Sequence, residues 1–309
     1  MDAVFVVIDV SKDRLNVHAL PSGTAFAVAR DGKGLGDLVE RLCQLSCTTI
    51  AVEATGGFEA VVTAALAAAG VAGGGDNPAQ VRAFAQALGK RAKTDPIDAA
   101  VIAQFAAATK PQVRALPDAQ TQALADLVAR RRQIIEMMVA ERQREKRATA
   151  RAKRSIVRLL RALEKELSSL DQDIGDNVRG SPAWCDKEDL LKSVPGIGDV
   201  MARTLIAELP ELGQLDRRQI AALAGLAPWT RQSGKWRGKS FIGGGRAHVR
   251  YRLFMAALVA SRHNPTLKTF YQRLVSAGTP RIVAIIAVAR KLLTILNAIV
   301  RDKKPWEIA

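Results

Sequence analysis

A chain of 309 residues is long enough for two domains, each with a core of its own. Its 46 Lys and Arg against 30 Asp and Glu leave a net charge of +16, which calls for a polyanionic partner, nucleic acid first. Aromatics at 5% argue against a wide base-stacking platform, and with no window near eighteen uninterrupted apolar residues and no basic region ahead of an apolar one at the N-terminus, neither a membrane span nor a signal peptide is expected.

Residues 4–10 form a β-branched apolar run that closes on Asp9 and Val10, the pattern of a strand covered on both faces. Ser11-Lys12-Asp13 turns the chain. Residues 14–20 alternate as a second strand, 24–30 give a third, and the close spacing implies antiparallel hairpins. Leu35, Leu38, Val39 and Leu42 mark a helix, and residues 48–53 a fourth strand that again ends on a carboxylate, Glu53. Thr55-Gly56-Gly57 opens an alanine-rich helix to about Ala69. Gly73-Gly74-Gly75 is the weakest strand of the series, and Pro78 starts a helix holding Val81 and Phe84. That order predicts a ribonuclease-H-like α/β domain.

The stretch Lys90-Arg91-Ala92-Lys93-Thr94-Asp95-Pro96-Ile97-Asp98 puts two carboxylates three residues apart behind a basic triplet. Pro96 fits the first position of a helix, so Asp95 would be its N-cap and Asp98 would lie in its first turn. Taken singly, each acid also reads as a capping or turn residue. In a ribonuclease-H-like fold, Asp9 and Glu53 sit on neighbouring strands facing the helix that carries Asp95 and Asp98. Four carboxylates so gathered repel unless cations neutralise them, and hard oxygen ligands select Mg²⁺ or Mn²⁺. Such a site can assist phosphodiester chemistry.

From Pro117 to Gly175 no proline or glycine intervenes, and Leu124, Val128, Ile135, Met138, Ile156, Leu159, Leu163 and Leu170 recur every three or four residues. One long helix or two with a coiled-coil-like seam is expected, its middle strongly basic from Arg142 to Arg154. The segment also suits a dimerisation element. Asp171 to Asp189 reads as a loop and a domain boundary. Pro195-Gly196-Ile197-Gly198 between apolar helices resembles a helix-hairpin-helix turn, in which Gly196 and Gly198 could offer backbone N–H groups to a phosphate. A plain helical hairpin would look the same.

Further on, Ser233 lies among Arg231, Lys235, Arg237 and Lys239, followed by Gly243-Gly244-Gly245-Arg246 and a helix with Arg250. A serine without an adjacent histidine needs other help to act as a nucleophile, here cations that stabilise phosphoryl charge. The same stretch would also serve as a glycine-rich phosphate grip with Ser233 uninvolved. Helices from about Pro265 and from Pro280 to Arg301 complete a mainly α domain. Cys43, Cys47 and Cys185 are too few for a disulfide framework; Cys43 and Cys47 read as small buried hydrophobes, in a reducing cytoplasm. With only His18, His248 and His263, a Ser-His-Asp triad is not a natural reading.

Ile8-Asp9-Val10-Ser11-Lys12, Val52-Glu53-Ala54-Thr55-Gly56, Asn77-Pro78, Lys93 to Ala99, Val194 to Gly198, Ala227-Pro228, Ser233-Gly234 and the helix after Gly244-Gly245-Arg246 occur in a specific order. Over nearly the whole chain they resemble the DEDD-type transposases of the bacterial insertion-sequence family numbered one hundred and ten, which includes the Piv-type invertases. The resemblance implies a RuvC-like domain over 1–116, a coiled-coil region over 117–180 and a C-terminal transposase domain over 181–309. It implies a metal-binding tetrad of Asp9, Glu53, Asp95 and Asp98, and Ser233 as a nucleophile that forms a phosphoserine link to DNA. It further implies double-stranded donor and target DNA, a structured guide (bridge) RNA, and a tetramer built as a dimer of dimers, acting in the cytoplasm at the nucleoid. The glycines at 73–75 depart from the apolar strand the family pattern calls for.

On this reading Lys90, Arg91, Lys93, Gly196, Gly198, Arg231, Lys235, Arg237, Lys239, Arg246 and Arg250 are candidate nucleic-acid contacts. A metal-dependent nuclease of Holliday-junction-resolvase type, with water as nucleophile, is the alternative enzyme. A nucleic-acid-binding protein with an inactive acidic site is the non-enzymatic one.

Overall fold

The computed structural model describes residues 4–45, 49–52, 58–69, 73–75, 84, 86–89, 101, 104–105, 108–109 and 118–307. The chain divides into two compact units, Met1–Gln120 and Thr121–Ala309.

The first unit is built on β1 (Phe5–Val10), whose residues from Val6 to Val10 are all buried, as a doubly covered strand requires. β2 (Arg14–Leu20) alternates and buries Leu15, Val17 and Ala19; β3 (Ala25–Ala29) closes the antiparallel pair. The Ser11 N–H donates to the Arg14 carbonyl at 3.0 Å across the turn between β1 and β2. After α1 (Gly32–Gln44), capped by the Asp31 carboxylate on the Gly34 N–H at 2.8 Å, β4 (Thr49–Val52) pairs parallel with β1. α2 (Glu59–Ala68) then leads to β5 (Gly73–Gly75), parallel to β4. Sheet order is β3-β2-β1-β4-β5, the ribonuclease-H-like order expected. The three glycines do form the fifth strand: a ladder needs only backbone donors and acceptors, which glycine supplies. Leu38 and Leu42 of α1, with Val62 and Leu66 of α2, cover the sheet core around Val6, Ile8, Ile50 and Val52.

Cys43 corrects the sequence reading. It is exposed, because the core stripe of α1 runs through Leu38 and Leu42 and the next residue is turned about 100° away. Cys47, the first turns of the helix expected after Pro78 and residues 90–100 lie outside the described residues, whereas Phe84, Gln86 and Ala87 are helical as expected. Phe84 packs edge-on against Phe105, ring centres 5.7 Å apart.

In the second unit α3 (Ala119–Glu145) and α4 (Ala150–Arg179) run antiparallel, as the ion pairs Arg131–Asp171 (2.5 Å) and Arg142–Glu164 (3.2 Å) require. Their shared core is Ile134, Met138, Leu160 and Leu170. Ile134 and Leu160 thus replace the expected Ile135 and Leu159, and Leu159 is 47% exposed. The cause is periodicity: a stripe at 3.6 residues per turn drifts against a strict seven-residue repeat. The loop expected over Asp171–Asp189 is also corrected. Leu170, Ile174 and Val178 keep a spacing of four into the core, so α4 continues through the polar run, and Gly180-Ser181 alone separates it from α5 (Pro182–Lys192). Gly175 lies inside α4 where Arg203 approaches; a Cβ there would sit 3.3 Å from its guanidinium.

α5 and α6 (Asp199–Glu208) form a hairpin through Val194 and Ile197, both buried, tied by Arg203 to Glu188 at 2.7 Å. α7 (Arg217–Leu223) starts with a capping box between Asp216 and Gln219. Past two short hairpins come α8 (Ala247–His263), α9 (Pro265–Ser276) and α10 (Arg281–Asp302). α10 is long and apolar enough to cross a membrane, yet Ala284, Val288, Ala289, Leu292, Leu293 and Leu296 are its buried face in the core of this unit. Buried Asn297 on α10 accepts the Gly213 N–H and donates to the Leu215 carbonyl, both at 2.8 Å, fixing the loop before α7.

Candidate functional site

Asp9 sits next to the end of β1, 8% exposed, with Asn16 of β2 donating its side-chain amide at 3.5 Å. On the other side of β1, Ile8 is in register with Val52, so the residues just before Asp9 and just before Glu53 are neighbours. Glu53, Asp95 and Asp98, with Lys90, Arg91 and Lys93, lie outside the described residues. Among the described residues no three His, Cys, Asp or Glu side chains gather as a metal-binding group. A carboxylate this far from water needs compensating charge or hydrogen bonds, of which the Asn16 amide supplies one.

The other candidate centre lies in the second unit. β6 (Pro228–Trp229) pairs antiparallel with β9 (Phe241–Ile242), and between them β7 (Gln232–Ser233) pairs with β8 (Trp236–Arg237). The inner hairpin turns on Gly234-Lys235, with Gly234 at φ +54°, the conformation that a two-residue turn demands at its first central position. Ser233 therefore stands exposed beside the tip, with exposed Arg231, Lys235 and Lys239 around it in the chain. Arg237 holds its place in β8. The Gly238 N–H donates to the Arg231 carbonyl at 3.1 Å, closing the hairpin arms.

Two glycines anchor these hairpins to the helices. Gly225 (φ +69°) and Gly245 (φ +58°) pass so close that a Cβ on Gly245 would lie 2.5 Å from the Leu223 carbonyl oxygen. Beside them the Arg246 N–H donates to the Leu223 carbonyl at 2.8 Å, and Arg250 donates to the Gly244 carbonyl at 2.6 Å. Arg246 forks onto Glu211 through two bonds of 2.5 and 2.7 Å. Arg246 and Arg250 thus brace the glycine loop. Glu211 carried no local signal in the sequence, being 35 residues from its partner. Gly196 (φ +108°) packs against α8, where a Cβ would lie 2.8 Å from that of Ala260. Gly198 is the exposed N-cap residue of α6.

Three large aromatic side chains on these hairpins stay in water. Trp229 and Trp236 are each 59% exposed and Phe241 48%. Two of the four tryptophans within eight residues was the available signal.

Comparison with known proteins gives matches over both units. A profile for IS110-type DEDD transposases, described as "Transposase", matches residues 6–166, and one described as "Transposase IS116/IS110/IS902 family" matches residues 188–272. The pilin gene-inverting protein of Moraxella bovis is 29% identical over 235 residues, 75% of this chain and 73% of that protein. An uncharacterized 42 kDa protein of insertion element IS900 from Mycobacterium paratuberculosis is 30% identical over 154 residues, 45% of this chain and 37% of that one. An uncharacterized 43.6 kDa protein of insertion element IS110 from Streptomyces coelicolor is 26% identical over 155 residues, 50% of this chain and 37% of that one. The first profile spans the strand bearing Asp9 and more than half of the chain, and the second spans the Ser233 hairpins. The chain belongs to the IS110 family of DEDD-type transposases.

Proposed function

We propose that this transposase cuts and rejoins DNA through Ser233, with Asp9, Glu53, Asp95 and Asp98 holding divalent cations, Mg²⁺ or Mn²⁺. The observation that carries the serine role is its position: an exposed hydroxyl beside the tip of a two-residue hairpin, flanked in the chain by exposed Arg231, Lys235 and Lys239. In the first step the Ser233 hydroxyl loses its proton to solvent and its oxygen bonds to a DNA phosphorus. The P–O bond to one deoxyribose breaks, and that strand end takes up a proton as a free hydroxyl. The flanking cations stabilise the charge that develops on the phosphoryl oxygens. In the second step a strand-end hydroxyl attacks the phosphoserine, rejoining DNA and restoring serine, with no phosphodiester energy lost. Cations bound at the acidic residues would supply electrostatic stabilisation of phosphoryl charge on DNA.

Arg231, Lys235, Arg237 and Lys239 are the proposed phosphate grips, with Gly198 at the α6 N-terminus; Lys90, Arg91 and Lys93 would serve near the acidic site. We assign Gly196, Arg246 and Arg250 to holding the fold. The exposed tip of the α3–α4 hairpin, with Lys146, Arg147, Arg151 and Arg154, supports a structured guide RNA as a second polyanion. The helical segment 117–180 would join protomers into a tetramer, between a RuvC-like domain over 1–116 and the transposase domain over 181–309.

The test is incubation of the protein, its co-purified RNA and end-labelled element-end DNA with Mg²⁺, followed by denaturing electrophoresis. A label-bearing protein adduct is expected in wild type, absent in Ser233→Ala and absent in Asp9→Asn. Cleavage without adduct, unchanged in Ser233→Ala and abolished in Asp9→Asn, would overturn the serine role and leave a metal-dependent nuclease.

A further inference from the structure

The four tryptophans of the chain fall into two kinds. Trp184 and Trp306 pack against the core of the second unit, whereas Trp229 and Trp236 keep 59% of their surface exposed. Leaving a large indole in water forgoes the burial that normally stabilises it, so two beside one serine need a reason.

Their geometry supplies one. Trp236 is the register partner of Ser233 across the β7–β8 ribbon, and directly opposed residues project from the same face with Cβ atoms about 5 Å apart. The Trp236 ring lies over Gly238, where any Cβ would collide with it, so one indole edge is seated and the rest is open. One hairpin further out, Trp229 stacks on its own register partner Phe241, ring centres 6.4 Å apart and planes 13° from parallel. The Arg231 guanidinium lies 5.6 Å from the Phe241 ring centre. Flat faces alternate with exposed cations at Arg231, Lys235 and Lys239, the composition that single-stranded nucleic acid recognises: charge for phosphates, rings for bases. The low aromatic content of the whole chain conceals this local concentration.

We propose that Trp236 and the Trp229–Phe241 pair form a stacking surface for unpaired DNA bases next to the phosphate presented to Ser233. An indole beside the nucleophile takes the place of a neighbouring base pair, holding the strand open while the cations hold its backbone. The inference deepens the reading of this hairpin as the DNA-cutting element and rests on it.

The experiment uses the full-length protein and three probes carrying one 2-aminopurine: a short single-stranded DNA, the same strand as RNA, and the full DNA duplex. Wild type should quench 2-aminopurine in single-stranded DNA and bind it more tightly than the other two. Trp236→Ala and Trp229→Ala should each lose about tenfold in affinity and most of the quenching, at unchanged melting temperature. Trp236→Phe should retain most of both. Ser233→Ala should quench like wild type, so a failed serine role and a failed stacking role give different results. Undiminished quenching in the Trp229→Ala/Trp236→Ala double variant overturns the proposal. So does equal quenching of RNA, or a change of oligomeric state in the variants, which would make the face a contact with a second copy.

Discussion

Replacing Glu211 with Gln tests whether Arg246 is a brace. The side chain keeps its shape but loses its charge, leaving Arg246 without the carboxylate that receives both of its bonds. Lys187, whose pKa burial pushes down, also loses the negative charge that raises it. Each hydrogen bond to a charged group contributes about 1.5–3 kcal/mol. Glu211 is 15% exposed but Arg246 34%, so solvent screens part of the pair, and we take a net cost of roughly 3 kcal/mol. For a unit of this size that lowers the melting temperature by about 6–12 °C in differential scanning calorimetry. A double-mutant cycle with Arg246→Gln should return a coupling of about 1–2 kcal/mol. DNA binding supplies the discriminating readout. If Arg246 gripped a phosphate, Arg246→Gln would reduce the slope of log affinity against log salt by about 1; as a brace it leaves the slope unchanged. A melting shift under about 2 °C, or a reduced slope, would refute the assignment.

Gly245→Ala should cost at least about 2 kcal/mol, because φ is +58° and the new methyl meets the Leu223 carbonyl, whereas Gly243→Ala, with nothing within 4 Å, should stay within about 0.5 kcal/mol by chemical denaturation. Acid should weaken the second unit through two carboxylates. The Lys192 ammonium, 2.6 Å from Asp199, holds that carboxyl below its ordinary 3.8, and the Gln219 and Arg218 N–H groups do the same for Asp216. Both contribute stability that is complete above about pH 3.8 and lost as pH falls through their lowered values. Lys192, raised above 10.5, contributes stability that is complete below that pH and lost above it. The melting temperature of an Asp199→Asn/Asp216→Asn variant should vary less than that of wild type between pH 5 and pH 2; an identical profile would sink this assignment.

Much was legible along the chain because it depends on local periodicity. The β-branched run ending at Asp9, the alternation of 14–20 and the spacing of Leu38 and Leu42 specify strands and a helix through which face each residue presents. Even the fifth strand could be placed by order, although three glycines gave it no side-chain pattern. Motif order also carried the family. What needed the fold was every relation across distance. Ile134 rather than Ile135 faces α4 because helix phase is decided by the partner, and α4 runs through an Asp-rich segment because Ile174 and Val178 find a core beyond it. Arg246, a phosphate grip by composition, is held by a glutamate 35 residues earlier. Trp229 is set opposite Phe241, twelve residues on, by strand register, a pairing no local propensity encodes. Periodicity is a property of neighbours in the chain. Which cations stay exposed, and which aromatic rings stay open, is decided only when distant segments compete for the same buried surface.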